Sequence, residues 1–198
     1  GYYREVRRAS HLFRGTTGST LSDGDGRDFI DLGMYLERAD ATSRMMEAHI
    51  LQRGDHRNEE RWAVLLRSCS ARETYRVVHQ GPLEANGVLG YLIQDSAFPR
   101  SLNHGLIQAG QIAKRLAKPK DRDKVESLIS QIRDRLPLAP LGEDAGESLA
   151  KFLDSWQEEL QRLANWIQER IIGGKLDLPE QGAWRSQQEQ QQQERGGR

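Results

Sequence analysis

Cysteine is nearly missing from this chain of 198 residues. Cys69 is the only one, which excludes an internal disulfide or a thiolate metal cage and points to a reducing, cytoplasmic setting. Charge of one sign is missing as well. Lys and Arg number 29 against 29 Asp and Glu, so no basic excess exists to hold a phosphate backbone, and nucleic acid is not an expected partner. No apolar run approaches the roughly 18–20 residues of a membrane span. With 36% apolar residues and a mean hydropathy of −0.76, a soluble chain without a membrane partner is expected. Alternation with period two never persists, so strands are not expected either.

What is present is helical periodicity. The stretch from Phe29 to Gly54 carries Leu32, Leu36, Ala39, Ser43, Met46 and Ile50 on one face, with Asp28 as the expected cap and Gly54 as the expected stop. Before it, Tyr2 to Phe13 reads as the last turns of a helix, and RGTTGSTLSDGDGR reads as a mobile loop on turn chemistry. After it, Asn58 is the expected cap of a helix whose inner face holds Trp62, Leu66, Cys69 and Glu73, with Arg76 one turn on. Gly81-Pro82 breaks this pattern, and a short helix spans Glu84 to Gln94. FPRS, with Pro99, opens a helix through Leu102, Leu106, Ala109, Ala113 and Leu116. Val125, Leu128, Ile129, Ile132 and Leu136 mark the next, which Pro137 ends. Leu149, Leu153, Trp156, Leu160, Leu163 and Ile167 then form a heptad-like seam, closed by Gly173-Gly174. The expected architecture is an all-α bundle of roughly six helices over residues 1–174, with a polar, Gln-rich and disordered tail over 175–198.

Several strings resemble one family. LGMYLERADATSR resembles the signature of the alpha-E family of bacterial helical proteins. HLFRGTTGSTL resembles the loop before that signature, WAVLLRSCSARETYR the helix after it, and FPRSLNHGL the family's Phe-Pro-Arg-Ser helix start. The resemblance runs in order from about Tyr2 to Ile172. It departs at Met34, where an Arg is common, and in having one arginine-glutamate-arginine helix where full-length relatives carry two. By that resemblance the chain is expected to be the C-terminal part of such a protein, or a shortened version of one, and its opening on Gly reads as that of a fragment or a processed piece. The resemblance also implies a protein partner, either a circularly permuted ATP-grasp ligase or a transglutaminase-like protease, in a system that makes or remodels amide bonds.

The candidate site lies along the signature helix. Glu37, Asp40 and Arg44 sit within reach of each other, and Glu73 and Arg100 are expected to join them in an inward-facing polar centre. Carboxylates beside guanidinium groups suit an amino acid or a peptide terminus, because each half of a zwitterion meets its opposite charge. They suit equally a buried ion-pair network that sets the register of three helices, the reading favoured where no nucleophile accompanies the charges. Arg38 is expected on the other side of its helix, as a surface or partner contact.

Other chemistries find less. The Gly-rich loop lacks GxxxxGK[ST], and Met34 stands where a calcium loop needs its bidentate Glu, although Thr16, Thr17, Ser19 and Thr20 suit a pocket entrance. The five histidines are scattered without Glu-x-x-His or HExxH spacing, so no metal and no cofactor are expected. Cys69 reads as a core thiol, Ser101 as a cap, and His104 as solvent-facing or partly buried. Three functions fit: a helical docking module that positions a peptide-like substrate for a ligase, an enzyme acting through the polar centre on an amide, or a purely structural bundle.

Overall fold

The longest helix of the computed structural model is the signature helix, and the two long helices that follow the middle of the chain pack against it. The structure describes residues 2–52, 59–142 and 146–173, without the side chains of Tyr3 and Arg7. The expectations for Gly54, Asn58, Gly174 and the tail lie outside the described residues. Eight α-helices are described where about six were expected: α1 Tyr2–Thr20, α2 Asp25–Leu51, α3 Glu59–Ser68, α4 Arg72–Val78, α5 Ala85–Gln94, α6 Leu102–Leu116, α7 Arg122–Arg133 and α8 Gly146–Ile167. Short 3-10 turns at Pro119–Asp121 and Leu136–Leu138 flank α7, and a π-helical turn, Gln168–Ile172, continues α8. No strand occurs among the described residues.

The core forms where α2 lies between α6 and α8. Leu32, Ala39, Thr42, Ser43, Met46, His49 and Ile50 of α2 are buried, a wider sector than one stripe, because α2 has neighbours on two sides. The six residues of the α8 seam are all buried, Trp156 among them, as their spacing requires. Burying one Leu-sized side chain contributes about 1.5–3 kcal/mol, so this seam is a principal source of stability. Polar ties set the register. Arg115 of α6 grips Asp28 of α2 at 2.6 and 3.2 Å, and Gln157 of α8 donates to Glu47 of α2 at 3.0 Å.

The helix expected to reach Leu136 and end at Pro137 stops at Arg133, and both residues lie in the 3-10 turn that follows. Four further boundaries differ from the expectations, each for a local reason. The helix α1 runs through the Gly/Ser/Thr segment to Thr20, where a mobile loop was expected. Its hydroxyls turn inward on the helix itself, Ser19 donating to the Gly15 carbonyl at 2.8 Å and Thr20 to that of Thr16 at 2.7 Å. Asp28 does not cap α2, which begins at Asp25; its backbone N–H already bonds Gly24, and its carboxylate serves Arg115. The helix opened by FPRS starts after Pro99, at Leu102, where the Ser101 hydroxyl accepts the His104 N–H at 3.0 Å.

The expected helix through Glu73 breaks in two at Ser70. Ser70 takes φ 53°, its N–H bonds the Arg67 carbonyl at 3.0 Å, and the Ala71 N–H bonds that of Leu66 at 2.7 Å. That is a Schellman ending built without glycine. The break re-phases α4 relative to α3, so Tyr75 is buried and Glu73 faces solvent.

The helices α2 and α6 approach each other closely. A β-carbon on Gly105 would stand 2.9 Å from that of Ala39 and 3.2 Å from the Tyr35 carbonyl oxygen. Gly105→Ala is therefore expected to destabilise by about 1–3 kcal/mol. Gly33→Ala, in the same bundle with nothing within 4 Å, is expected to stabilise by about 0.5–1 kcal/mol. Urea unfolding of the two variants checks the pair, and equal effects would refute the tight crossing.

Candidate functional site

The five candidate residues are distributed over three parts of the fold. Within α2, Arg44 Nε donates to Asp40 Oδ2 at 2.7 Å, and this bond raises the Arg44 pKa. The pair lies on the surface, where such bridges contribute about 0.3–0.5 kcal/mol. Glu37 is exposed on α2 and Glu73 is exposed on α4. Among the described residues no ion pair joins Glu37, Glu73 or Arg100 to another of the five. The inward-facing carboxylate centre expected from the sequence is thus not what the fold assembles.

What it assembles is cationic, and Arg38 is its middle member. Arg38 is half-buried on the flank of α2 that also carries Thr42 and His49, on another side of the helix from Glu37, Asp40 and Arg44. Burial chiefly lowers its pKa, and the charges of Arg14 and then Arg100 lower it further, while Tyr35 and Glu37 act in the other direction. Two packing contacts bring these arginines together. The helix α1 lies over the start of α2 across a cleft of about 200 Å³, with Phe13, Arg14 and Thr17 on one wall and Ile30 and Met34 on the other. The start of α6 meets α2 at Tyr35 and Ala39, where the Tyr35 and His104 rings stand 5.9 Å apart.

Arg100 is held by a well-tied turn. Asp95 Oδ1 accepts the N–H groups of Ala97 at 2.8 Å and Phe98 at 2.6 Å, and the Ser101 hydroxyl donates to the Asp95 carbonyl. His104 Nδ1 lies 2.8 Å from the Ser96 carbonyl, so the proton sits on Nδ1. Ser101 and His104 are thereby used as fasteners rather than as a nucleophile and its base. Cys69 is fully buried beside the same turn. Burial pushes its thiol up to about 12, against a smaller opposing effect of Arg100, so it is no nucleophile at neutral pH.

Among the described residues no carboxylate forms an ion pair with Arg14, Arg38 or Arg100. Three guanidinium groups left in this way suit an oxyanion, which accepts their planar N–H forks two at a time. Each of the three comes from a different signature string: Arg14 from HLFRGTTGSTL, Arg38 from LGMYLERADATSR and Arg100 from FPRSLNHGL. Cys69, near Arg100, comes from the fourth. Sequence reasoning named Arg100 for the polar centre and set Arg38 apart from it. The readable signal was an arginine in every string.

Comparison with known proteins gives one match. The model of the Alpha-E family, described as a predicted alpha-helical domain with a conserved ER motif, matches residues 1–171. Glu37-Arg38 is such a dipeptide within the signature string. No curated protein and no solved structure matches the chain. Among the described residues no group of His, Cys, Asp and Glu is arranged to hold a metal ion, and no helix is long and apolar enough to cross a membrane.

The thiol makes a checkable expectation. Its folded pKa of about 12 lies above the ordinary 9.0, so its burial favours folding fully below about pH 9 and ceases to do so as pH rises through 12. Native protein at pH 8 is expected to resist iodoacetamide, with alkylation of Cys69 only on unfolding. Between pH 9 and 11, wild type should lose stability faster than Cys69→Ala. Rapid labelling of the native state would show that the site opens to solvent at Cys69.

Proposed function

We propose that this chain, which belongs to the Alpha-E family, is a non-catalytic helical module that binds an oxyanion through Arg14, Arg38 and Arg100 and docks to a ligase of the ATP-grasp type. The observation that carries the reading is that Arg14 and Arg100 both act on the half-buried Arg38, while among the described residues no carboxylate forms an ion pair with any of the three. Peptides and the substrates of amide-forming enzymes carry carboxylate or phosphate groups, and a guanidinium cluster orients such groups without reacting with them. The resemblance supports a ligase or a transglutaminase-like protein as the partner, and the lone thiol supports a reducing, cytoplasmic setting.

The surface of α1 supports docking. Tyr2, Val6 and Phe13 fall on one side of this helix, and they are 75%, 50% and 60% exposed, with Leu12 68% exposed beside them. Such a stripe is what a helix offers to a partner's groove. An acid–base enzyme built on Glu37, Asp40, Arg44, Glu73 and Arg100 has less support, because the carboxylates of Glu37 and Glu73 face water and Asp40 is engaged by Arg44.

Two measurements test the proposal. Thermal unfolding in inorganic phosphate, compared with chloride at equal ionic strength, reads the oxyanion. At ten times Kd the bound anion adds about 1.4 kcal/mol, or roughly 3–6 °C, and Arg38→Gln with Arg100→Gln should abolish the difference. Co-purification with a ligase of the ATP-grasp type reads the docking. The folded double variant should still bind the ligase while product formation falls, and Phe13→Asp should weaken the complex. A wild type that neither binds the ligase nor distinguishes phosphate from chloride would overturn the reading.

A further inference from the structure

The seam between α7 and α8 does not close. These helices run antiparallel, with Arg135 opposite Glu159 at one end and Leu128 opposite Trp166 toward the other. Between them lies a groove of about 480 Å³. Packed helices interdigitate and leave few voids larger than a water, so an opening of this size falls instead among clefts that take small organic ligands. Its floor is apolar: Ile132 and Leu163 are buried beneath it, and Leu128 and Trp166 are partly buried along it. The π-helical turn just after Trp166 belongs to a class of irregularity frequent at functional sites.

The rim is cationic. Among the described residues Glu159 is the one acid lining the groove, and it is engaged by Arg135, whose other nitrogen donates to Ser155 at 3.2 Å and whose guanidinium lies over the Phe152 ring. Arg162 stands 3.9 Å from the same carboxylate, already taken by Arg135, and Lys124 has no ion pair among the described residues. Lys124 and Arg162 therefore leave positive charge above an apolar floor that offers the Trp166 ring as a flat wall.

We propose that the α7–α8 groove binds a small amphipathic anion, its apolar body seated on Leu128, Leu163 and Trp166 and its acidic group held by Lys124 and Arg162. The site is separate in residues and in position from the Arg14, Arg38 and Arg100 cluster, and the two proposals stand or fall independently. An aryl or short acyl body fits the volume, and a single carboxylate, sulfonate or phosphate fits the rim.

The probes are 1-anilinonaphthalene-8-sulfonate and its uncharged counterpart N-phenyl-1-naphthylamine, titrated into the full chain with emission excited through tryptophan. Wild type is expected to bind the sulfonate saturably at one site. Lys124→Glu with Arg162→Glu, both surface changes, should weaken the sulfonate about tenfold or more, as loss of hydrogen bonds to a charged group implies, and leave the neutral probe within about twofold. Leu128→Arg, checked for helix content by circular dichroism, should abolish both. Phe13→Asp should change neither, because the exposed stripe of α1 lies elsewhere. Unsaturable binding in wild type, unchanged sulfonate affinity in the charge-reversed variant, or loss of the signal in Phe13→Asp would each overturn the assignment.

Discussion

The contact between Ala39 and Gly105 sets the distance between α2 and α6, and with it most of the remaining geometry. With the side chains reduced to a methyl group on one helix and hydrogen on the other, the two backbones meet where a single added carbon would collide. Both ends of α6 are then determined. At its C-terminal end Arg115 reaches Asp28, and at its start the His104 ring comes against Tyr35. The turn from Asp95 to Ser101 is fastened to that same start, so Arg100 reaches the flank of α2 as a consequence of the crossing. A wider interhelical spacing would take Arg100 away from Arg38.

Charge in this molecule balances as a sum and not as a map. The acids and bases cancel over the chain, yet Asp40 with Arg44, Lys114 with Glu126 and Lys151 with Glu147 form bridges on the surface, where pairs contribute little. Arg14 and Arg100 instead act on Arg38 with like charge. Like charges near one another cost stability, the more so where one of them, as Arg38, is half-buried. The α7–α8 groove repeats the theme with a different floor, since there the cations stand over apolar side chains.

Periodicity was the legible part of the chain. The α8 seam is buried at every position the heptad pattern names, Ser101 caps α6, and the α2 stripe from Leu32 to Ile50 faces the core. What escaped depended on interactions with no local signature. Ser70 ends α3 in a left-handed conformation that sequence reading assigns to glycine, so Glu73 was placed on a face it does not occupy. The Gly/Ser/Thr segment of α1 stayed helical because its hydroxyls bond the preceding turn. Thr42 and His49 are buried on a flank of α2 that the stripe does not name, where the His49 ring meets Trp62 of α3 at 5.5 Å.

The sequence by itself determined that the chain is all helical, which faces of its helices are apolar and which family it resembles, because helix period, capping and short motifs are properties of neighbours along the chain. The tertiary structure decided which charges meet. Asp40 and Arg44 are four residues apart and find each other along one helix, as spacing foretells. Arg14, Arg38 and Arg100 are distant in sequence, and only the lie of α1 across α2 and the close crossing of α2 with α6 bring them together. Helix periodicity gives the direction of a side chain around its own axis; the neighbour it meets there is set by packing between helices.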